Sequence, residues 1–193
     1  MKHLLIALFL PLAIPLQAQA PENPAPRWAL HAGIFSESIG LPGFGNAFVP
    51  QQTGFRIGGE RYYRNTPKKQ LAQQLNLSGY QHPGYHNALV LNTGFAYRPF
   101  FGRAFIDLGA GLGYMLAHSR LPLFDNTGAG QFVERGSIRH KVSVHLNAGL
   151  GYRLGERYSL FAQYEVMAEL PFGYGGNPVL PHRLIGVGVR RSF

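Results

Sequence analysis

The residues in this chain best placed to do chemistry are Ser143, His145 and Glu165. They share one face of two neighbouring alternating segments, and a short turn at residues 155–157 sets Asn147 opposite Glu165. Serine, imidazole and carboxylate are the three groups of acyl transfer: a nucleophile, a base that takes its proton, and an acid that orients the base. Ordinary hydrogen bonding among enclosed polar groups explains the same pattern more simply, so no catalytic residue is assigned. Seven charged residues, Arg56, Glu60, Arg98, Asp107, Arg153, Glu165 and Arg190, have the same face parity along their segments. Charges held away from water must be paired. These seven, with His145 and Asn147, are therefore expected to form a structural network of ion pairs and hydrogen bonds. The alternative is a solute path lined mostly by arginine, which would favour anions.

Two other motifs are weaker. Gly109-Ala110-Gly111-Leu112-Gly113 mimics a dinucleotide loop, yet it lies inside an alternating segment with no helix after it, and glycine there relieves crowding. His82 and His86 flank Pro83-Gly84-Tyr85 in an expected surface loop, where the spacing fixes no ligand geometry, so no metal is assigned.

The elements that position these groups follow from composition and period. The 193 residues are 46% hydrophobic and 13% aromatic but only 14% charged, with 25 Gly, no Cys and a formal charge of +9. One-domain length and this apolar content exclude disorder, and the lack of Cys excludes disulfides, Cys-ligated metals and thiol catalysis. A mean hydropathy of −0.06 is too low for a bundle of membrane helices. Lys2 and His3 precede the apolar run Leu4–Leu16, and small residues stand at Ala18 and Ala20, so residues 1–20 are read as a secretory signal peptide. As a helix the run would span only about 20 Å, short of a bilayer's roughly 30 Å core. Residues 21–26, rich in proline, read as an extended periplasmic strap, and residues 27–193 as a single domain.

Within that domain period two is pervasive. Leu89, Leu91, Thr93, Phe95 and Tyr97 alternate with Val90, Asn92, Gly94, Ala96 and Arg98. Ile106, Leu108, Ala110 and Leu112 alternate with Asp107, Gly109, Gly111 and Gly113. Residues 142–152 and 185–193 repeat the pattern, and four weaker segments at 27–37, 53–64, 70–81 and 158–168 complete eight strands of about 10 or 11 residues. Connections at 65–69, 99–102 and 155–157 are tight, whereas 39–52, 117–140 and 169–181 are long, with a shorter one at 82–87. Short turns on one side and long loops on the other fit an up-and-down antiparallel transmembrane barrel. Trp28, Tyr63, Tyr97, Tyr152, Tyr158 and Phe193 all fall on the apolar face beside the short turns or termini, as a lipid-interface belt would require, and Phe55, Tyr114 and Tyr164 suggest a thinner girdle towards the long loops. Gln73 and Arg61 are misfits on the outward face of strands two and three.

With these features the chain resembles the eight-stranded outer-membrane β-barrels typified by the OmpA transmembrane domain, OmpX and OmpW, over Arg27–Phe193. The segment Ile185-Gly186-Val187-Gly188-Val189-Arg190-Arg191-Ser192-Phe193 looks like the C-terminal strand read by the barrel-assembly machinery; terminal Phe193 matches and outward Arg191 departs from it. The stretch His145-Leu146-Asn147-Ala148-Gly149 is loosely similar to the His-x-Ser-Asn-Ala stretch of outer-membrane lipid A deacylases. Asn147 stands where that family has its nucleophilic serine, and Ser143 precedes the histidine instead of following it. The resemblance to the barrel family implies export to the cell outer membrane, contact with its lipids and lipopolysaccharide, a monomer, and no cofactor. Nucleic acid is not an expected partner, for no basic, aromatic-interleaved motif is present. Arg120, Arg135, Arg139, His140 and Lys141 gather in and beside the longest loop, where they are expected to meet lipopolysaccharide phosphates. A non-enzymatic protein acting through its loops is the expected function; a small-solute channel and a lipid A-modifying hydrolase are the alternatives.

Overall fold

The computed structural model describes residues 26–40, 52–82, 86–120, 123–126, 128, 131–170 and 179–193. The expected signal peptide and all but Pro26 of the strap lie outside them. Ten strands follow in order: β1 (Trp28–Ile39), β2 (Gln52–Asn65), β3 (Lys69–Gln81), β4 (His86–Phe101), β5 (Ala104–Ser119), β6 (Leu123–Asn126), β7 (Phe132–Arg135), β8 (Ile138–Arg153), β9 (Tyr158–Leu170) and β10 (Leu180–Ser192). Eight of them close a barrel in the order β1-β2-β3-β4-β5-β8-β9-β10 and back to β1. Every neighbouring pair is antiparallel, the closing pair running from Ala29 opposite Ser192 to Ile39 opposite His182. Strands β6 and β7 pair only with each other, as a hairpin within the connection from β5 to β8.

The eight barrel strands are the eight expected from the alternation, but they are longer than the 10 or 11 residues expected. They run from 12 residues in β1 to 16 in β4, β5 and β8. The extra length lies mainly at the long-loop end: β5 continues through Ser119 and β8 begins at Ile138, so both ends of the expected loop 117–140 are strand. Barrel closure explains this. A strand paired on both sides keeps its ladder beyond the point where side chains alternate cleanly.

The period of two puts the leucines outside and the charges inside. In β5, Asp107 is 2% exposed and its neighbour Leu108 is 44% exposed. Closure to eight strands leaves a lumen that side chains fill. Close approach forces glycine at two points on β5. A Cβ at Gly113 would sit 2.5 Å from Ser143 Oγ and 2.8 Å from His145 Nε2, and one at Gly109 would collide with the Asn147 amide. Near the long-loop end, however, the inward face is not small and polar. Phe35, Tyr80, Val90, Met115, Met167 and Leu184 form a buried apolar cluster there. Val90 and Met115 are directly paired across β4 and β5, so an apolar layer packs inside this half of the lumen.

The outward misfits keep their assigned faces. Arg61 stands opposite Gln73 across β2 and β3, one step from a bulge between Tyr62 and Arg64. Tyr63 Oη donates to Gln73 Oε1 at 2.6 Å, and the Arg61 guanidinium lies 5.6 Å from the Trp28 ring. Hydrogen bonding and ring stacking thus satisfy both polar groups at the edge of the apolar band.

Candidate functional site: the lumen network

The lumen network is built from inward positions on all eight barrel strands. At the short-turn end, Arg98 on β4 is fully buried and clamps Glu60 on β2 with two parallel bonds, Nη1 to Oε2 at 2.8 Å and Nη2 to Oε1 at 2.7 Å. Its Nε donates to Asp107 Oδ2 at 2.7 Å. From β10, Arg190 donates Nε to Glu60 Oε1 at 3.0 Å and Nη2 to Asp107 Oδ2 at 2.9 Å. Two guanidiniums therefore face two carboxylates in a closed square, the geometry in which buried charge is best compensated. Gln74 on β3 adds a bond to Glu60 Oε1 at 2.8 Å.

One level further in, Arg56 Nη1 meets Glu165 Oε2 at 2.7 Å, and Arg56 Nε donates to Ser78 Oγ at 3.0 Å. Glu165 Oε1 lies 2.7 Å from His145 Nδ1, and His145 Nε2 lies 2.8 Å from Ser143 Oγ. With Nδ1 donating to the carboxylate, Nε2 is the acceptor for the serine hydroxyl, the tautomer a serine–histidine–acid relay uses. Its surroundings differ from those of a reactive serine. Ser143 is 0% exposed, and the void beside His145 and Glu165 is about 30 Å3, room for water but not for an acyl chain.

A third group sits near the long-loop end, and sequence reasoning missed it. His182 on β10 places Nδ1 2.7 Å from Glu37 Oε1 and Nε2 3.1 Å from Glu169 Oε2. Lys141 Nζ donates to Glu169 Oε1, and His86 Nε2 lies 3.8 Å from Glu169 Oε2. The parity of Glu165, continued by four residues, puts Glu169 on the inner face, within the stretch 169–181 that the alternation alone marks as loop.

Most assigned residues are where parity put them. Arg56, Glu60, Arg98, Asp107, His145, Glu165 and Arg190 all belong to the network. Asn147 points inward but packs against Gly109 instead of joining the ion pairs. Arg153 is a correction. It lies at the open short-turn mouth with its guanidinium 3.5 Å from the centroid of the Phe100 ring, because the mouth widens to a vestibule of about 750 Å3 before the Arg98 level. Lys141 is a second correction: its place on β8 turns it inward onto Glu169, so it offers nothing to an outside phosphate. Of the other expected lipopolysaccharide contacts, Arg120 is exposed and bonds Asn87 Oδ1 at 3.1 Å, Arg139 is half-buried on the inward parity, and the Arg135 side chain lies outside the described residues.

All six belt aromatics, Trp28, Tyr63, Tyr97, Tyr152, Tyr158 and Phe193, project outward towards the short-turn end. Phe55 and Tyr114 stand nearer the long loops, whereas Tyr164 is at the middle of β9. The glycine-rich run 109–113 is continuous strand, and His86 turns into the lumen instead of facing His82 across a loop. Among the described residues no group of three or more potential ligands is arranged to hold a metal ion.

Fold, closure and inside-out patterning are those of an eight-stranded barrel of the outer-membrane type. Neisserial surface protein A from Neisseria has the same architecture: at 15% identity, with 86% of this chain and 97% of that one covered, the TM-score is 0.61. Further similar structures are Ail of Yersinia pestis, in complex with the heparin analogue sucrose octasulfate (13% identity, 88% and 99% covered, TM-score 0.49), and the outer membrane enzyme PagL (13% identity, 83% and 97% covered, TM-score 0.46). No family model matches the sequence, and no curated protein matches it.

Proposed function

We propose that this chain is an integral outer-membrane protein, non-enzymatic and with a closed lumen, whose contacts outside the cell are made by its long-loop end. The observation that carries this reading is the square of Arg98, Arg190, Glu60 and Asp107. It crosses the barrel between the vestibule and the interior, and two voids beyond it, among the described residues, measure about 30 and 20 Å3. Moving a solute through would break several charge-assisted bonds at once, each worth roughly 1.5–3 kcal/mol. The exposed leucines, valines and isoleucines around the whole barrel, with aromatic rings at one rim, support lipid as the outer solvent. At the opposite rim Arg120 is exposed, a donor suited to lipopolysaccharide phosphates.

Folding the chain into planar bilayers tests the closed lumen: no unitary conductance is expected, and steady channel openings would overturn it. Membrane insertion is read separately, from heat-modifiable gel migration after refolding into vesicles. For the hydrolase alternative, mass spectrometry of lipid A incubated with the refolded protein is expected to show no loss of acyl chains. A serine-dependent loss, abolished in Ser143→Ala, would turn the buried relay into an active site.

A further inference from the structure

The outer wall of the barrel is not uniform. Along β4, β5 and β8 no Asp, Glu, Lys or Arg has outward parity. The lipid-facing cations near the short-turn rim are instead Arg61 on β2 and Arg191 on β10, the two strands that flank β1. Both are exposed, and among the described residues neither has a carboxylate partner. Arg61 lies over Trp28 and Tyr63, and Arg191 over Tyr158 at 5.7 Å and Phe193 at 4.8 Å. Four more cations crowd the same sector below them: Arg27 ahead of β1, and Arg64, Lys68 and Lys69 at the β2–β3 turn.

Directly above this cationic rim the wall carries a shallow, open groove. Ala32 and Gly59 form the floor of a groove of about 600 Å3 between Leu30, Ile57, Leu75 and Leu77, and Arg191 and Tyr158 stand at its mouth. A comparable groove of about 530 Å3 on the wall between Leu71, Phe95, Leu108, Leu146 and Tyr164 has no Lys or Arg in its lining, so the cations distinguish this one. Packing does not demand the glycine, since a Cβ at Gly59 would meet nothing closer than 3.8 Å. Leu30 faces both Arg191 and Gly59 in register, and Trp28 faces Arg61, so the cations bracket the lower end of the groove. The strands carrying them are two ladder steps apart, about 10 Å. Two arginine side chains can close on one phosphate across that span.

We infer that the wall around β1 binds an anionic phospholipid of the periplasmic leaflet, its phosphate between Arg61 and Arg191 and one acyl chain in the groove over Ala32 and Gly59. The inference rests on the outer-membrane reading above. Charge complementarity selects the occupant: two guanidiniums without acidic partners among the described residues, facing lipid at headgroup depth, attract an anion there, and an acyl chain fits the apolar groove joined to them. The aromatic rings beneath the guanidiniums hold them at that depth instead of letting them turn into bulk water.

The test uses the chain refolded into phosphatidylcholine vesicles, with spin-labelled phosphatidylglycerol and spin-labelled phosphatidylcholine as probes. The wild type is expected to associate with phosphatidylglycerol about tenfold more strongly than with phosphatidylcholine, and each of Arg61→Gln and Arg191→Gln to reduce that preference about fivefold. Gly59→Leu, which fills the groove without touching a charge, should displace the motionally restricted lipid while gel migration stays that of the folded barrel. Arg120→Gln at the opposite rim should change nothing, and millimolar inorganic phosphate should not compete, since it brings no acyl chain. Insertion with equal affinity for both lipids, or a preference that survives the double arginine variant, overturns the site alone. Failure to insert into either vesicle overturns the membrane reading, and the site with it.

Discussion

The two walls of the barrel are built from the same strands yet obey different rules. On β5, Asp107 and Leu108 are adjacent in sequence; one bonds two arginines inside and the other presents its side chain outside. Inside, a buried charge is judged by its partners, because the filled lumen leaves little room for water to replace a missing one. Outside, a side chain is judged by whether it is apolar, since acyl chains fill any shape it leaves. The inner wall is therefore specific in detail and intolerant of loss, whereas the outer wall is specific in polarity and tolerant of changes in shape.

Four substitutions sharpen or break that contrast. Glu60→Ala leaves Arg98 and Arg190 short of their shared carboxylate and should destabilise the folded barrel most, by about 3–5 kcal/mol in urea titrations of the vesicle-bound protein. A loss below about 1 kcal/mol would mean that water reaches the square and that the lumen is not dry. Leu112→Arg, at the middle of β5 on the outward face, should cost about 2–4 kcal/mol by the same measurement. Unchanged stability there would show that this face does not meet lipid. Leu146→Ala, on the outer wall of β8, should cost about 1–2 kcal/mol, the lost transfer of its methyl groups from water to lipid with no cavity left behind. If it cost as much as a core truncation, about 2–5 kcal/mol, the outer wall would have to be packed against protein. Ser143→Ala, on the inner wall of the same strand, removes one bond to His145 and should cost about 1 kcal/mol, with gel migration unaltered.

Strands β4, β5, β8 and β10 were legible because their inward positions are glycine or polar and their outward positions apolar, so each carries its own two-fold signal. The members of the short-turn network were legible for the same reason: parity alone assigned Glu60, Arg98, Asp107 and Arg190 to one interior. Where the inner face turns apolar the signal fades. Met115 matches its outward neighbours in polarity, so β5 reads as ending at Tyr114, and Lys141 and Glu169 fall just beyond the expected ends of β8 and β9. Glu37 and His182 lie near opposite ends of the chain, 145 residues apart, and nothing local marks them as partners.

Alternation, turn spacing and the placement of aromatic rings determined by themselves that the chain makes eight antiparallel strands with one polar and one apolar face. Those signals are local, set by the two-residue repeat of the extended backbone. Closure decided the rest. Joining β1 to β10 brings Arg190 within reach of Glu60, 130 residues away, sets paired charge across the lumen, and puts Arg61 and Arg191 on either side of one strand. Such contacts depend on register across a ladder that exists only once the barrel is complete, so the sequence named the faces and the tertiary structure chose the partners.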